Sequence, residues 1–144
     1  MRTRRDARER ALSLCYELDV RGNSVDDLLF ELPVAPAPYA VELARGVEEH
    51  RDEIDAVITK FADRWSIDRM PVIDRNLLRI AVYELGWKPD IPLGVAISEA
   101  VDLAKRYSTD DSGRFVNGML ARIGEHLRDN AGGRPPASGA DGAA

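Results

Sequence analysis

The sequence is poor in the features that support metal, redox or membrane chemistry. Cysteine occurs once, at Cys15, so an internal disulfide is impossible and a thiolate cluster for zinc or iron is excluded. The two histidines, His50 and His126, are far apart in the chain, and neither stands in a spaced cluster with cysteine or paired carboxylates. Glycines in the body of the chain occur singly, without the pattern of a phosphate-cradling loop. No cofactor and no metal are expected, and nothing has the pattern of an active site. Runs of about 18 apolar residues are also missing, and no apolar stretch follows the charged N-terminus as it would in a signal peptide. A cytoplasmic protein is expected. Strand-like alternation and internal repeats are absent as well.

What remains is material for helices. With 144 residues, 44% hydrophobic and 31% charged, the chain has the size and composition of one globular domain. Its formal net charge of −5 opposes indiscriminate binding to phosphate, so any nucleic-acid contact must be local.

The punctuation divides the chain into amphipathic segments. Thr3 and Asp6 form a capping-box pattern for a helix from about Arg4 to Val20, and Arg21-Gly22-Asn23 ends it. Ser24 with Asp27 repeats the signal for a short helix to about Leu32, which Pro33 and Pro36-Ala37-Pro38 close. From Tyr39 to about 64 the apolar spacing predicts two helices, or one bent helix, breaking near His50. Pro71 leads into a helix over Asp74 to Leu85, whose wide apolar arc makes it the most buried, with Gly86 expected in the left-handed position after its last turn. A further helix over Gly94 to Tyr107 places Ala96, Ala100, Leu103, Ala104 and Tyr107 on one side, opposite Ser98, Glu99, Asp102, Lys105 and Arg106. Asp110 or Asp111 is expected to cap a last helix to about Leu127, with the stripe Val116, Met119, Leu120, Ile123 and Leu127. The domain is therefore expected to span 1–128. The remaining 129–144, rich in glycine, proline and alanine, is too poor in bulky apolar residues to offset the entropy of ordering and is expected to be a disordered tail.

Two clusters carry possible chemistry. Positions 2, 4, 5, 8 and 10 are arginines, against only Asp6 and Glu9 nearby. On a helical wheel Arg4, Arg5 and Arg8 flank the apolar stripe formed by Ala7, Ala11, Leu14, Cys15 and Leu18, and Tyr16 projects close to the Arg5 direction further along. Cys15 reads as a small buried hydrophobe. Forked guanidinium donors suit phosphate oxygens, but a solvated helix end accounts for such arginines equally well. The second cluster is Tyr107, Arg114, Phe115 and Asn117, where Gly118 leaves space in front of the Phe115 ring. Single-stranded RNA stacks its bases on such rings, at about 1–3 kcal/mol per base, while core packing is the alternative use of Phe115 and Tyr107.

Several collinear motifs then carry a resemblance. Arg4-Arg5 through Tyr16, LLRIAVYEL at 77–85, the turn at Asp90-Ile91-Pro92, VAISEAVDLAK at 95–105 and DSGRFVNGML at 111–120 are similar to the bacterial transcription antitermination factors of the NusB family. The resemblance covers roughly 125 residues and implies an all-α fold of about seven helices in two three-helix-like halves. It also implies a noncatalytic factor that binds the boxA element of nascent ribosomal-operon RNA together with the ribosomal small-subunit protein NusE, within the RNA polymerase antitermination complex. By motif position Arg4, Arg5, Arg8, Tyr107, Arg114, Phe115 and Asn117 would face RNA, and Tyr16 and Asp74 would face the protein partner. Asp6 stands where some relatives carry another arginine, Ser98 replaces the asparagine usual in its motif, and the tail is extra. Two rivals remain. A ribosomal-RNA cytosine methyltransferase would need a cofactor domain and a catalytic cysteine, for which this length has no room. A self-associating helical scaffold, a homodimer without RNA contacts, fits the composition equally well.

Overall fold

The computed structural model describes residues 3–63 and 65–129, and within them every regular element is helical. The first helix, α1, runs Arg4–Arg21; Thr3 Oγ1 accepts from the Asp6 amide while the Asp6 carboxylate accepts from the Thr3 amide, closing the expected capping box. Gly22, with φ +75°, ends α1 in the left-handed region, and its amide bonds the Leu18 carbonyl. Ser24 caps α2, Val25–Glu31. Pro38 occupies the first turn of α3, Pro38–Glu49, where its missing amide donor has no intrahelical bond to lose. His50 separates α3 from α4, Arg51–Phe61, at the predicted break. A short 3-10 turn, Ile67–Arg69, precedes α5, Val72–Trp87; then come α6, Leu93–Tyr107, and α7, Asp110–Gly124, which passes into a π-helical turn at Glu125–Asp129. The expected domain end at 128 falls inside that turn, and the expected tail from 130 onward lies outside the described residues, as does Arg2.

Two boundaries differ from the sequence reading. Gly86 is buried inside α5 and helical, because the helix continues to Trp87 before Lys88 and Pro89 stop it. Arg128 supplies the end instead: its guanidinium donates to the Leu85 carbonyl at 2.8 Å and the Ile91 carbonyl at 2.9 Å, covering carbonyls that no helical amide reaches. The cap of α7 is Thr109, whose Oγ1 accepts from the Ser112 amide; Asp110 and Asp111 follow within the first turn, where their charge suits the positive end of the helix dipole.

Helices α1, α2 and α3 form one group and α5, α6 and α7 the other, with α4 laid against α5 and α7. Helix α5 is the shared axis, touching α1, α3, α4, α6 and α7. Leu77, Leu78, Val82 and Leu85 are at most 1% exposed, so this helix is buried nearly all round, as its apolar arc predicts. Its polar residues are buried with partners. Arg75 and Arg79 donate to Asp19 on α1, Asn76 donates to the same carboxylate, and Arg79 forks onto Asp55 on α4. The stripe Val116, Met119, Leu120, Ile123 and Leu127 is buried against the same core. So is Cys15, where burial pushes the thiol up to about 12 and removes thiolate chemistry at neutral pH. Among the described residues no helix is long and apolar enough to cross a membrane.

Candidate nucleic-acid interface

The N-terminal half of α1 meets α6 through two links. Arg5, with a largely exposed side chain, donates from Nε and Nη2 to the two Glu99 oxygens at 3.1 and 2.7 Å, a fork onto one carboxylate. Hydrogen bonding from Arg5 holds the Glu99 carboxyl below the usual carboxylate range, against the effect of its partial burial. One turn on, Glu9 accepts from the Tyr107 hydroxyl and lies 3.5 Å from the Arg106 guanidinium, which stands 5.3 Å over the Tyr107 ring. Tyr107, placed with the apolar side of its helix by periodicity, sits at the helix end with 44% exposure.

Arg4 points the other way from this seam. It is exposed, lies 4.2 Å over the Tyr39 ring, and among the described residues has no carboxylate partner. Arg8 departs from expectation. It is 5% exposed, with Nε at 3.0 Å from both oxygens of Glu84 and Nη1 at 3.9 Å from Glu99. The Tyr39 hydroxyl donates to the same Glu84 at 2.5 Å, and burial with this contact pushes the phenol upward. Arg8 is therefore a buried strut between α1 and α5 rather than a surface contact, because a deeply buried glutamate needs a cation beside it.

On α7, Arg114 is exposed and bonded to Asp111 one turn earlier. Asn117 is exposed on the same helix. Phe115 is half-buried, and a Cβ added at Gly118 would meet nothing within 4 Å, so the space expected beside the ring is present. Its neighbour is Trp65, 48% exposed, with ring centroids 5.2 Å apart and planes tilted by 53°. Sequence reading missed Trp65 because it lies in an irregular connection where no periodicity points it anywhere. These two rings, with Ala62 and Asp63, line an open hollow of about 610 Å³.

The two residues expected to face a protein partner separate. Tyr16 is 43% exposed and lines a groove of about 640 Å³ along α1, together with Leu12, Val20, Ile73, Glu9 and Tyr107. Asp74 is 2% exposed and accepts from the Ser112 hydroxyl at 2.8 Å, so it faces the interior between α5 and α7 and cannot touch a partner from where it stands. The residue that reaches the groove from that turn is its neighbour, Ile73. Clusters of histidine, cysteine or carboxylates able to hold a metal do not occur among the described residues.

The fold and motif order match one family throughout: the model of the NusB family aligns with residues 5–125. The chain belongs to the NusB family. A transcription antitermination protein NusB from Salinispora tropica is 49% identical over 133 residues, covering 88% of this chain and 98% of its own. Among solved structures, T. maritima NusB superposes with a TM-score of 0.77 at 39% identity, over 87% of this chain and 93% of that one. A NusB crystallised with NusE and double-stranded RNA superposes with a TM-score of 0.73 at 32% identity, over 85% and 96%.

Proposed function

We propose that this chain is a noncatalytic antitermination factor of the cytoplasm, which binds the boxA element of nascent ribosomal-operon RNA together with NusE and joins the polymerase antitermination complex. The observation that carries the reading is the seam of α1 and α6 continued onto α7. It presents Arg4, Arg5, Tyr107 and Arg114 at the surface, with Asn117 and the half-exposed Phe115 on the same last helix. Rings offer stacking faces for unpaired bases, and forked guanidinium groups offer phosphate contacts. Membership of the family and the relative crystallised with NusE and RNA support the partners.

Arg5 and Arg114 already hold carboxylates of this chain, so RNA must displace Glu99 and Asp111 to gain them. The free chain should therefore bind weakly. The groove beside Tyr16 shares Glu9 and Tyr107 with the seam, and it is the docking place for NusE in this reading. Titrating labelled single-stranded boxA RNA should show Arg5→Ala and Arg114→Ala each weakening binding about fivefold, the equivalent of about 1 kcal/mol, with helicity unchanged. Titrations indistinguishable from wild type for both variants would remove the seam as the RNA site. A self-associating scaffold is the competing outcome: a dimer in sedimentation, indifferent to boxA RNA and NusE, would establish it instead.

A further inference from the structure

We propose that Lys105 is a phosphate-contacting cation of the RNA interface, held on its track by Gly113; the inference rests on the RNA-binding reading above. Lys105 lies in the last turn of α6, exposed, two residues before Tyr107. Its alkyl stem crosses Gly113 in the first turn of α7. A Cβ at position 113 would stand 2.7 Å from Lys105 Cγ, 3.4 Å from Cδ and 3.1 Å from Cε. Three successive carbons thus pass over a buried residue with no side chain, and the close approach exists only because position 113 is glycine.

The charge at the end of that stem is unspent. Among the described residues the Lys105 ammonium makes no ion pair or hydrogen bond. Its neighbours do: Arg106 pairs with Glu9 and Asp102, and Arg114 with Asp111. Asp110 and Asp111 share the turn with Gly113 without coming within ion-pair distance of Lys105. A phosphate reaching Lys105 breaks no internal pair, and a stem already packed has less rotamer freedom to lose on binding. An ammonium is a compact point charge whose three donors suit phosphate oxygens more than the flat edge of a base. Lys105 then adds sequence-independent affinity between the ring of Tyr107 and the guanidinium of Arg114, which lie on either side of the α6–α7 turn.

The test titrates labelled single-stranded boxA RNA with the full chain over a range of salt concentrations. Lys105→Ala should weaken binding about fivefold and make the log–log salt slope shallower by about 0.7, the value for one phosphate contact on a single strand. Lys105→Arg, which keeps the charge, should restore most of the affinity. Gly113→Ala displaces the stem by a flexible side chain's movement alone, so it should reproduce the loss while the thermal midpoint stays level or rises, alanine being the better helix former. Wild-type binding by Lys105→Ala, alongside weakened Arg5→Ala and Arg114→Ala, overturns the assignment, as does a loss of affinity with the salt slope unchanged. Retained affinity in Gly113→Ala overturns the positioning role of the glycine. If Arg5→Ala and Arg114→Ala also bind as wild type, the RNA reading fails, and Lys105 with it.

Discussion

Arg5 and Arg8 stand three residues apart on one helix, and both reach toward Glu99, yet their surroundings give them opposite work. Arg8 is sealed against Glu84, and removing it would leave a carboxylate that is 1% exposed with only the Tyr39 hydroxyl beside it. Breaking a buried pair from one side typically costs about 3–5 kcal/mol. Arg8→Ala should accordingly lower stability by about 3 kcal/mol in urea denaturation, and a midpoint within error of wild type would contradict the strut. Arg5, at the surface, contributes little to folding by comparison. What it changes is the titration of its partner. Because Arg5 depresses the Glu99 carboxyl, the stabilising pair is fully present above the ordinary glutamate range and is lost as pH falls through the depressed value. In Arg5→Ala the Glu99 carboxyl should titrate at higher pH than in wild type, as read from side-chain carboxyl NMR shifts. An unmoved midpoint would mean that the fork does not persist in solution.

Among the elements, the α6–α7 turn bears most directly on function, since it carries Tyr107, Lys105 and Arg114. Thr109 caps α7 and Asp111 is free of that duty, which separates stability from charge at this position. Asp111→Asn should leave thermal stability nearly unchanged, release Arg114 and tighten boxA binding; equal or weaker affinity would place Arg114 away from the RNA path. Such caps explain what the sequence made readable. Thr3 with Asp6, Gly22, Ser24 and the break at His50 act through neighbours within four residues, so local spacing suffices to find them. The buried state of Arg8 and Asp74 was not readable, because Glu84 and Ser112 are brought in from distant segments by packing. An arginine beside an apolar stripe looks the same in sequence whether it faces solvent or a buried glutamate. Thr109 went unnoticed for a simpler reason: two aspartates followed it, and either is an equally good cap by residue type.

At the scale of the whole molecule, a net charge of −5 sits behind an interface built from cations. Most of those cations are neutralised from within: Arg5 by Glu99, Arg106 by Glu9 and Asp102, Arg114 by Asp111. Only Arg4 and Lys105 on this surface have no carboxylate partner among the described residues. A polynucleotide approaching the free chain therefore meets a weak local attraction inside a repulsive long-range field. A basic protein seated in the Tyr16 groove would change both terms, since it adds positive charge beside the seam and offers its own cations to Glu9, the carboxylate that now holds Tyr107 and Arg106. More phosphates would then be neutralised in the ternary assembly than by this chain alone. The salt dependence of boxA binding should be steeper with NusE present than without it, by about 0.7 in log–log slope for each additional phosphate contact. Fluorescence anisotropy titrations across a salt series measure both slopes directly. Equal slopes with a higher affinity would mean that NusE helps by ordering the existing contacts, and the composite, charge-sharing groove would have to be abandoned.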